Sequence, residues 1–159
     1  MVFVTLGTQD KSFERALKKI ETLIKNGIIT GEVVVQAGST KYQSNYLKIF
    51  SLIDSKSFNK YIKGCEYMIS HGGVGAIMRG INNGKKVIAV ARRVKYGEHE
   101  NDHQVEIVKK LDQLGYIIGC TKVEELEEKI GLVKDFHVQP YISNNKNFCR
   151  MISQLIDKG

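Results

Sequence analysis

The chain is poor in the features that mark several protein classes. No apolar run approaches the roughly 20 residues a membrane helix needs. The start, Met1-Val2-Phe3-Val4-Thr5-Leu6-Gly7-Thr8, has no basic segment and no cleavage site, so it reads as a first β-strand rather than a signal peptide. There is one proline, Pro140, and no repeat, low-complexity tract or linker. The three cysteines, Cys65, Cys120 and Cys149, are odd in number and far apart, with no C-x-x-C spacing. That pattern fits neither a disulfide framework nor a zinc site. It suits a reduced, cytoplasmic compartment with each thiol a small buried apolar residue. The net charge of +7 favours anionic partners. Nucleotide, lipid pyrophosphate and an anionic membrane face all qualify. The lysines are scattered through helical segments, with no compact basic block interleaved with aromatics, which argues against nucleic acid.

The 159 residues suffice for one domain, 1–159, with a respectable core. Strand and helix signals alternate along it. Val2–Leu6 is a short apolar run. Ser12–Lys25 carries Phe13, Leu17, Ile20 and Ile24 at helical spacing and stops at Asn26-Gly27. Glu32–Gln36 reads as a buried strand, Leu47–Ile53 as a further strand or extended segment, and Ser57–Ile62 as a short helix. Strand Tyr67–Ser70, helix Gly75–Asn82 and strand Lys86–Val90 follow. Asn101–Leu114 is helical, Tyr116–Gly119 a strand and Val123–Ile130 a glutamate-rich helix. Asn144–Ile156 closes the chain as a helix with Phe148, Ile152 and Ile156 inward. This order predicts an α/β fold, a Rossmann-like parallel sheet with helices on both faces. Such sheets bind ligands beyond the carboxyl ends of their strands. Three glycine-containing loops fall there: Gly7-Thr8-Gln9, Ala37-Gly38-Ser39-Thr40 and His71-Gly72-Gly73.

The segment Ser70-His71-Gly72-Gly73-Val74-Gly75 hands an apolar strand over to a helix. A turn of this kind offers free backbone N–H groups and the positive helix end to a phosphate. Glycine there keeps side chains from holding a ligand off the backbone. The spacing is neither the dinucleotide fingerprint nor a P-loop. Close helix–strand packing explains such glycines equally, and His71 either donates to a phosphate or bonds a neighbouring carbonyl.

Glu98-His99-Glu100-Asn101-Asp102-His103-Gln104 is a wholly polar run entering a helix. Asn101 or Asp102 suits the helix cap. The others suit bonds to ribose or sugar hydroxyls, and a metal site is the weaker reading. Between the two clusters lies Arg92-Arg93-Val94-Lys95-Tyr96. This basic loop suits a departing diphosphate, a partner or acidic lipid, or plain exposure.

Phe3–Thr8, Gln36–Thr40, His71–Gly75, Gly84–Ile88 and Asn101–Gln104 stand in the order and spacing of the C-terminal domain of glycosyltransferase family 28. The chain resembles that family over nearly its whole length, in particular the short bacterial capsule and exopolysaccharide subunits of the PssE type. These are similar to the small catalytic subunit of the eukaryotic transferase that adds GlcNAc to a dolichol-linked precursor. The resemblance implies the donor half of a GT-B enzyme split between two polypeptides, with a membrane-anchored partner supplying the acceptor half. It implies a UDP-sugar donor, inverting transfer of galactose or N-acetylglucosamine to a lipid-pyrophosphate-linked saccharide, no cofactor and no metal. The protein would act at the inner face of the membrane through its partner.

Carried over by position, Gly7, Thr8 and Gln9 face the acceptor half, with Gly38 and Ser39 in the neighbouring loop. His71, Gly72, Gly73, Val74 and Gly75 meet diphosphate and ribose. Asn101, Asp102 and Gln104 meet sugar and ribose, flanked by Glu98 and His99. His99 and His103 are the local candidates for the base that takes the acceptor proton, unless the partner supplies it. In the related peptidoglycan transferase a glutamate holds the ribose hydroxyls; the matching position here is Arg79, which cannot accept those bonds. Glu98 or Asp102 then holds the ribose, or the nucleotide sits differently. A non-catalytic subunit that activates its partner is the alternative reading.

Overall fold

The computed structural model describes residues 1–139 and 146–157. Six strands, β1 (Val2–Thr5), β2 (Val33–Gln36), β3 (Lys48–Phe50), β4 (Tyr67–His71), β5 (Val87–Val90) and β6 (Ile118–Cys120), form one parallel sheet in the order β3-β2-β1-β4-β5-β6. The helices are α1 (Glu14–Lys25), α2 (Ser55–Gly64), α3 (Val74–Asn82), α4 (His103–Gln113), α5 (Leu126–Gly131) and α6 (Lys146–Asp157). The predicted α/β class and parallel sheet hold.

Strand side chains alternate between the two faces of the sheet. Val2 and Val4 of β1 join Leu17, Ile20 and Leu23 of α1 in one core. Phe3 points the other way, into a core with Ile77 and Ile81 of α3 and Val108 and Leu111 of α4. Both faces being covered explains why the strands read as continuous apolar runs rather than alternating ones.

The helix after β1 and the helix after β4 therefore lie on opposite faces, although β1 and β4 are neighbours. This reversal opens a crevice between the two strand ends, the usual ligand position in such sheets. Buried polar residues gather at that edge. Thr5, Gln36, Ser70 and His71 end strands, while Thr40, Arg92, Glu98 and Gln104 follow them.

Local chemistry moves several element ends. α1 begins at Glu14 rather than Ser12, because the Phe13 N–H donates to Thr40 Oγ1 at 2.9 Å. α2 begins at Ser55 because Asp54 caps it, accepting from the Ser57 N–H at 2.8 Å. The glutamate-rich segment opens as a tight 3-10 turn, Val123–Glu125, before α5. β6 is shifted toward Cys120, and α4 starts two residues later than expected. Asn144 and the side chains of Phe148 and Ile156 lie outside the described residues; Ile152 packs on the second core. Cys65 and Cys120 are buried free thiols, whereas Cys149 is exposed, contrary to the expectation that all three lie inside.

Candidate functional site

The crevice is a cleft of about 350 Å³. Thr5, Gly7, Thr8 and Gln9 form one wall. Gln36 and Phe58 form the back, and His71, Gly73, Gly75, Ala76 and Arg79 form the other wall. The first turn of α3 faces this space with no side-chain cap at Gly73. Its leading N–H groups have no partner within the helix, so they and the helix dipole present a positive end to the cleft.

His71 sits at the end of β4 and is 7% exposed. Its Nδ1 accepts from the Gly73 N–H at 3.2 Å and lies 3.3 Å from Gln104 Nε2. With Nδ1 accepting, the proton of the neutral ring is on Nε2. Burial, then the charge of Arg92, push its pKa down to about 3. The ring is thus neutral at physiological pH and offers an N–H donor.

The imidazole also explains two of the glycines. A Cβ on Gly7 would stand 2.6 Å from His71 Nε2, and one on Gly73 would stand 2.2 Å from Cε1. Gly7 additionally has φ +82°, a left-handed conformation that side chains disfavour. Gly72 is closed by Gln104, whose Cβ would lie 2.8 Å from an added methyl. Of Gly7, Gly72, Gly73 and Gly75, only Gly75 has nothing within 4 Å of an added Cβ. The expectation that these glycines keep side chains away from a ligand therefore fits Gly75; the others make room for the protein's own groups. Val74 is half-buried in the same turn and packs on the second core.

The polar cluster of α4 is tied to the glycine turn from behind. Gln104 is 3% exposed, and its Oε1 accepts from the N–H groups of Gly72 at 3.0 Å and Arg92 at 3.1 Å. Glu98 is equally enclosed. Arg15 grips its two oxygens at 2.7 and 3.0 Å, and Oε2 also accepts from the Arg93 N–H at 3.0 Å. Asp102 accepts from the Val94 N–H at 3.0 Å and lies 3.5 Å from Arg93 Nε. Asn101 Oδ1 accepts from the His103 N–H at 3.0 Å, so Asn101 rather than Asp102 satisfies the start of α4. None of these residues lines the His71 cleft.

Arg92 shows the strongest departure from the expected exposed basic loop. It is 1% exposed and donates to the carbonyls of Leu6, Lys11 and Glu98. Burial lowers its pKa to about 10, so it stays charged at pH 7. Its charge depresses the pKa of both His71 and His99. Arg92 therefore places a buried positive charge behind both rings, offset in part by the nearby Glu98 carboxylate.

His99 borders a smaller hollow of about 240 Å³ with Gln9, Asp10, Lys11 and Glu100. Its Nε2 lies 3.2 Å from the Gln9 amide, and Gln9 also lines the main cleft. His103 is half-buried, with Nδ1 3.7 Å from Glu106. Gly38 crosses beneath the Gly7 loop so closely that an added Cβ would meet the Gly7 carbonyl at 2.4 Å; Ser39 beside it is exposed. Arg79 stacks on Phe58 at 3.9 Å and donates to Asn59 at 2.8 Å. Thr5 and Gln36 were not singled out from the sequence. Each is a polar residue ending an apolar strand, which is the signal that marks them.

Known proteins resemble this chain in sequence and in fold. Residues 1–156 match the model of the glycosyltransferase family 28 C-terminal domain. The human (Homo sapiens) UDP-N-acetylglucosamine transferase subunit ALG13 is 31% identical over 131 residues, covering 76% of this chain but only 11% of that protein. The solution structure of ALG13 superposes with a TM-score of 0.61 at 18% identity, covering 94% of this chain and 93% of that one. The glycosyltransferase SnogD from Streptomyces nogalater superposes with a TM-score of 0.51 at 15% identity, covering 97% of this chain and 43% of that one. The fold is that of the C-terminal half of GT-B glycosyltransferases.

Proposed function

Because the chain belongs to the glycosyltransferase family 28 C-terminal domain family, we propose that it is the UDP-sugar-binding subunit of a two-subunit inverting glycosyltransferase. The observation that carries this reading is the convergence of three features on one cleft. The uncapped start of α3 and the neutral His71 ring lie on its wall, and buried Arg92, bonded to the Leu6 carbonyl, acts on that ring.

In this reading the backbone of Val74 and Gly75 in the first turn of α3 receives the diphosphate, and the helix end stabilises the leaving UDP. His71 Nε2–H donates to it. Gly7, Thr8 and Gln9 face the acceptor half. Gly72, Gln104 and Glu98 act as positioning residues, holding the glycine turn and the Arg92 loop in register. Asn101, Asp102, Gly38 and Ser39 support the neighbouring loops. His99, reached through Gln9, is the better placed of the two histidines to meet an acceptor hydroxyl. Its Nδ1 already accepts from the Asn101 N–H at 3.3 Å, so proton uptake at Nε2 needs the other tautomer; a base from the partner avoids that change.

The partner would be a membrane-anchored subunit, and the acceptor a lipid-pyrophosphate-linked saccharide of capsule or exopolysaccharide assembly. The protein would then work at the cytoplasmic face of the membrane through that partner. Among the described residues no helix is long and apolar enough to cross a membrane itself.

Arg79 supports a second reading, a non-catalytic enhancer of a transferase partner. It occupies a wall of the cleft where the resemblance calls for a glutamate, and neither Glu98 nor Asp102 reaches in to replace it. Calorimetric titration with UDP, UDP-galactose, UDP-GlcNAc and ADP separates the two. Selective binding of a UDP compound, weakened by Gly75→Val, is the outcome expected of a donor subunit. No binding by the chain alone, with binding by the co-expressed complex that Gly75→Val leaves unchanged, is the outcome expected of an enhancer.

A further inference from the structure

A second hollow, of about 370 Å³, opens at the same edge of the sheet but on the α1 side, and it shares no lining residue with the His71 cleft. Four cations face it: Arg15 from α1, Arg93 and Lys95 from the loop after β5, and Lys122 from the loop after β6. Glu124 is the one carboxylate on its wall.

The two arginines are held in place. Arg15 is fixed by the paired bonds to Glu98 and lies 3.7 Å over the Tyr96 ring, with Tyr96 on the same wall. Arg93 reaches the Thr121 carbonyl at 3.4 Å and lies near Asp102. Lys95 and Lys122 are exposed, and among the described residues neither pairs with a carboxylate. Held guanidinium groups beside two exposed ammonium groups, Lys95 lying 5.0 Å from the Tyr96 ring, form a concave, positively charged surface. Tetrahedral oxyanions are bound well by that combination, since arginine supplies fixed donors and lysine adaptable charge. Glu98 and Asp102 offset the charge of the two arginines, so the positive charge an entering anion would meet is chiefly that of Lys95 and Lys122.

We propose that this hollow is a second anion site, taking a phosphate or pyrophosphate group independently of whatever occupies the His71 cleft. Such a group reaches it either from solution or on a lipid headgroup. The site would let one face of the protein hold two phosphorylated ligands at once.

The test is a titration of isotopically labelled chain with inorganic pyrophosphate, followed by backbone amide shifts. Shifts at Arg93, Lys95, Tyr96 and Lys122 are expected, whereas a ligand in the donor cleft would move Gly72, Gly73 and Gly75. The two sites, and the two readings, are thereby separated. The double variant Lys95→Gln/Lys122→Gln changes only exposed side chains; it should weaken pyrophosphate about tenfold while leaving the UDP-induced shifts of Gly72, Gly73 and Gly75 unchanged. A second arm uses sedimentation with phosphatidylcholine vesicles, with and without phosphatidic acid. Retention by the acidic vesicles that the double variant loses identifies a lipid phosphate. Pyrophosphate binding without vesicle retention identifies a soluble anion. The proposal is overturned if those amides do not move, or if the double variant binds pyrophosphate as tightly as the parent.

Discussion

The Gln104 side-chain oxygen receives the Gly72 amide at 3.0 Å, joining the start of α4 to the glycine turn after β4. The same oxygen holds the Arg92 amide, so one residue fixes two strand ends. Removing a buried acceptor strands its donors at roughly 1–3 kcal/mol each. Gln104→Ala should therefore lower unfolding free energy by about 2–6 kcal/mol. A urea melt with an unchanged midpoint would show that the bond does not hold the turn.

His71 predicts an acid sensitivity with a definite sign. Its folded pKa, about 3, lies below its ordinary value of 6.5, so the unfolded chain takes up the proton first. Its contribution to stability is complete above pH 6.5 and is lost as pH falls toward 3, at up to about 1.4 kcal/mol per pH unit. Between pH 7 and pH 5 this amounts to about 2 kcal/mol. His71→Gln should lose that much less than the parent over the same interval, read from urea midpoints at both pH values. Equal losses would mean the ring is protonated inside the fold.

Two neighbouring glycines should respond in opposite ways. Gly73→Ala drives a methyl into the His71 ring, and overpacking of that kind costs about 1–3 kcal/mol. Gly75→Ala meets nothing and lies inside α3, where alanine is favoured by up to about 1 kcal/mol. The second variant should be as stable as the parent or more so, yet bind UDP less well. Loss of both stability and affinity in Gly75→Ala would place Gly75 in packing rather than at a ligand.

Glu98→Gln removes the charge that two segments share. The Arg15 side chain is 26% exposed, so water compensates part of the loss, and about 2 kcal/mol of destabilisation is expected. Hydrogen exchange at the Arg93 and Glu98 amides should quicken together, because both hold the same loop. Exchange rates unchanged in the variant would show that the ion pair is dispensable for loop order.

Much of this architecture is legible in the sequence. Apolar runs such as Val33-Val34-Val35 and the helical spacing of Leu17, Ile20 and Ile24 are strong local signals, and both cores are built from them. The glycine turn is legible for the same reason, since its type recurs at strand ends. What the sequence withholds is direction. Arg92 and Arg93 are adjacent in the chain, but one is buried against three carbonyls and the other borders an open hollow. Glu98 and Gln104 look like ligand-facing polar groups, and nothing in their neighbours reveals that the fold occupies their oxygens internally. Those partners, Arg15 and Gly72, are 83 and 32 residues away. Long-range pairing of this kind leaves no local periodicity to read.

Arg92 binds the carbonyls of the β1 loop and of its own loop at once, across as many as 86 residues. The mouth of the cleft is consequently assembled when the protein folds, before any ligand arrives. Recognition should resemble a key entering a finished lock: fast association, little change in backbone order, and an entropic toll levied at the ribosome instead of at the encounter.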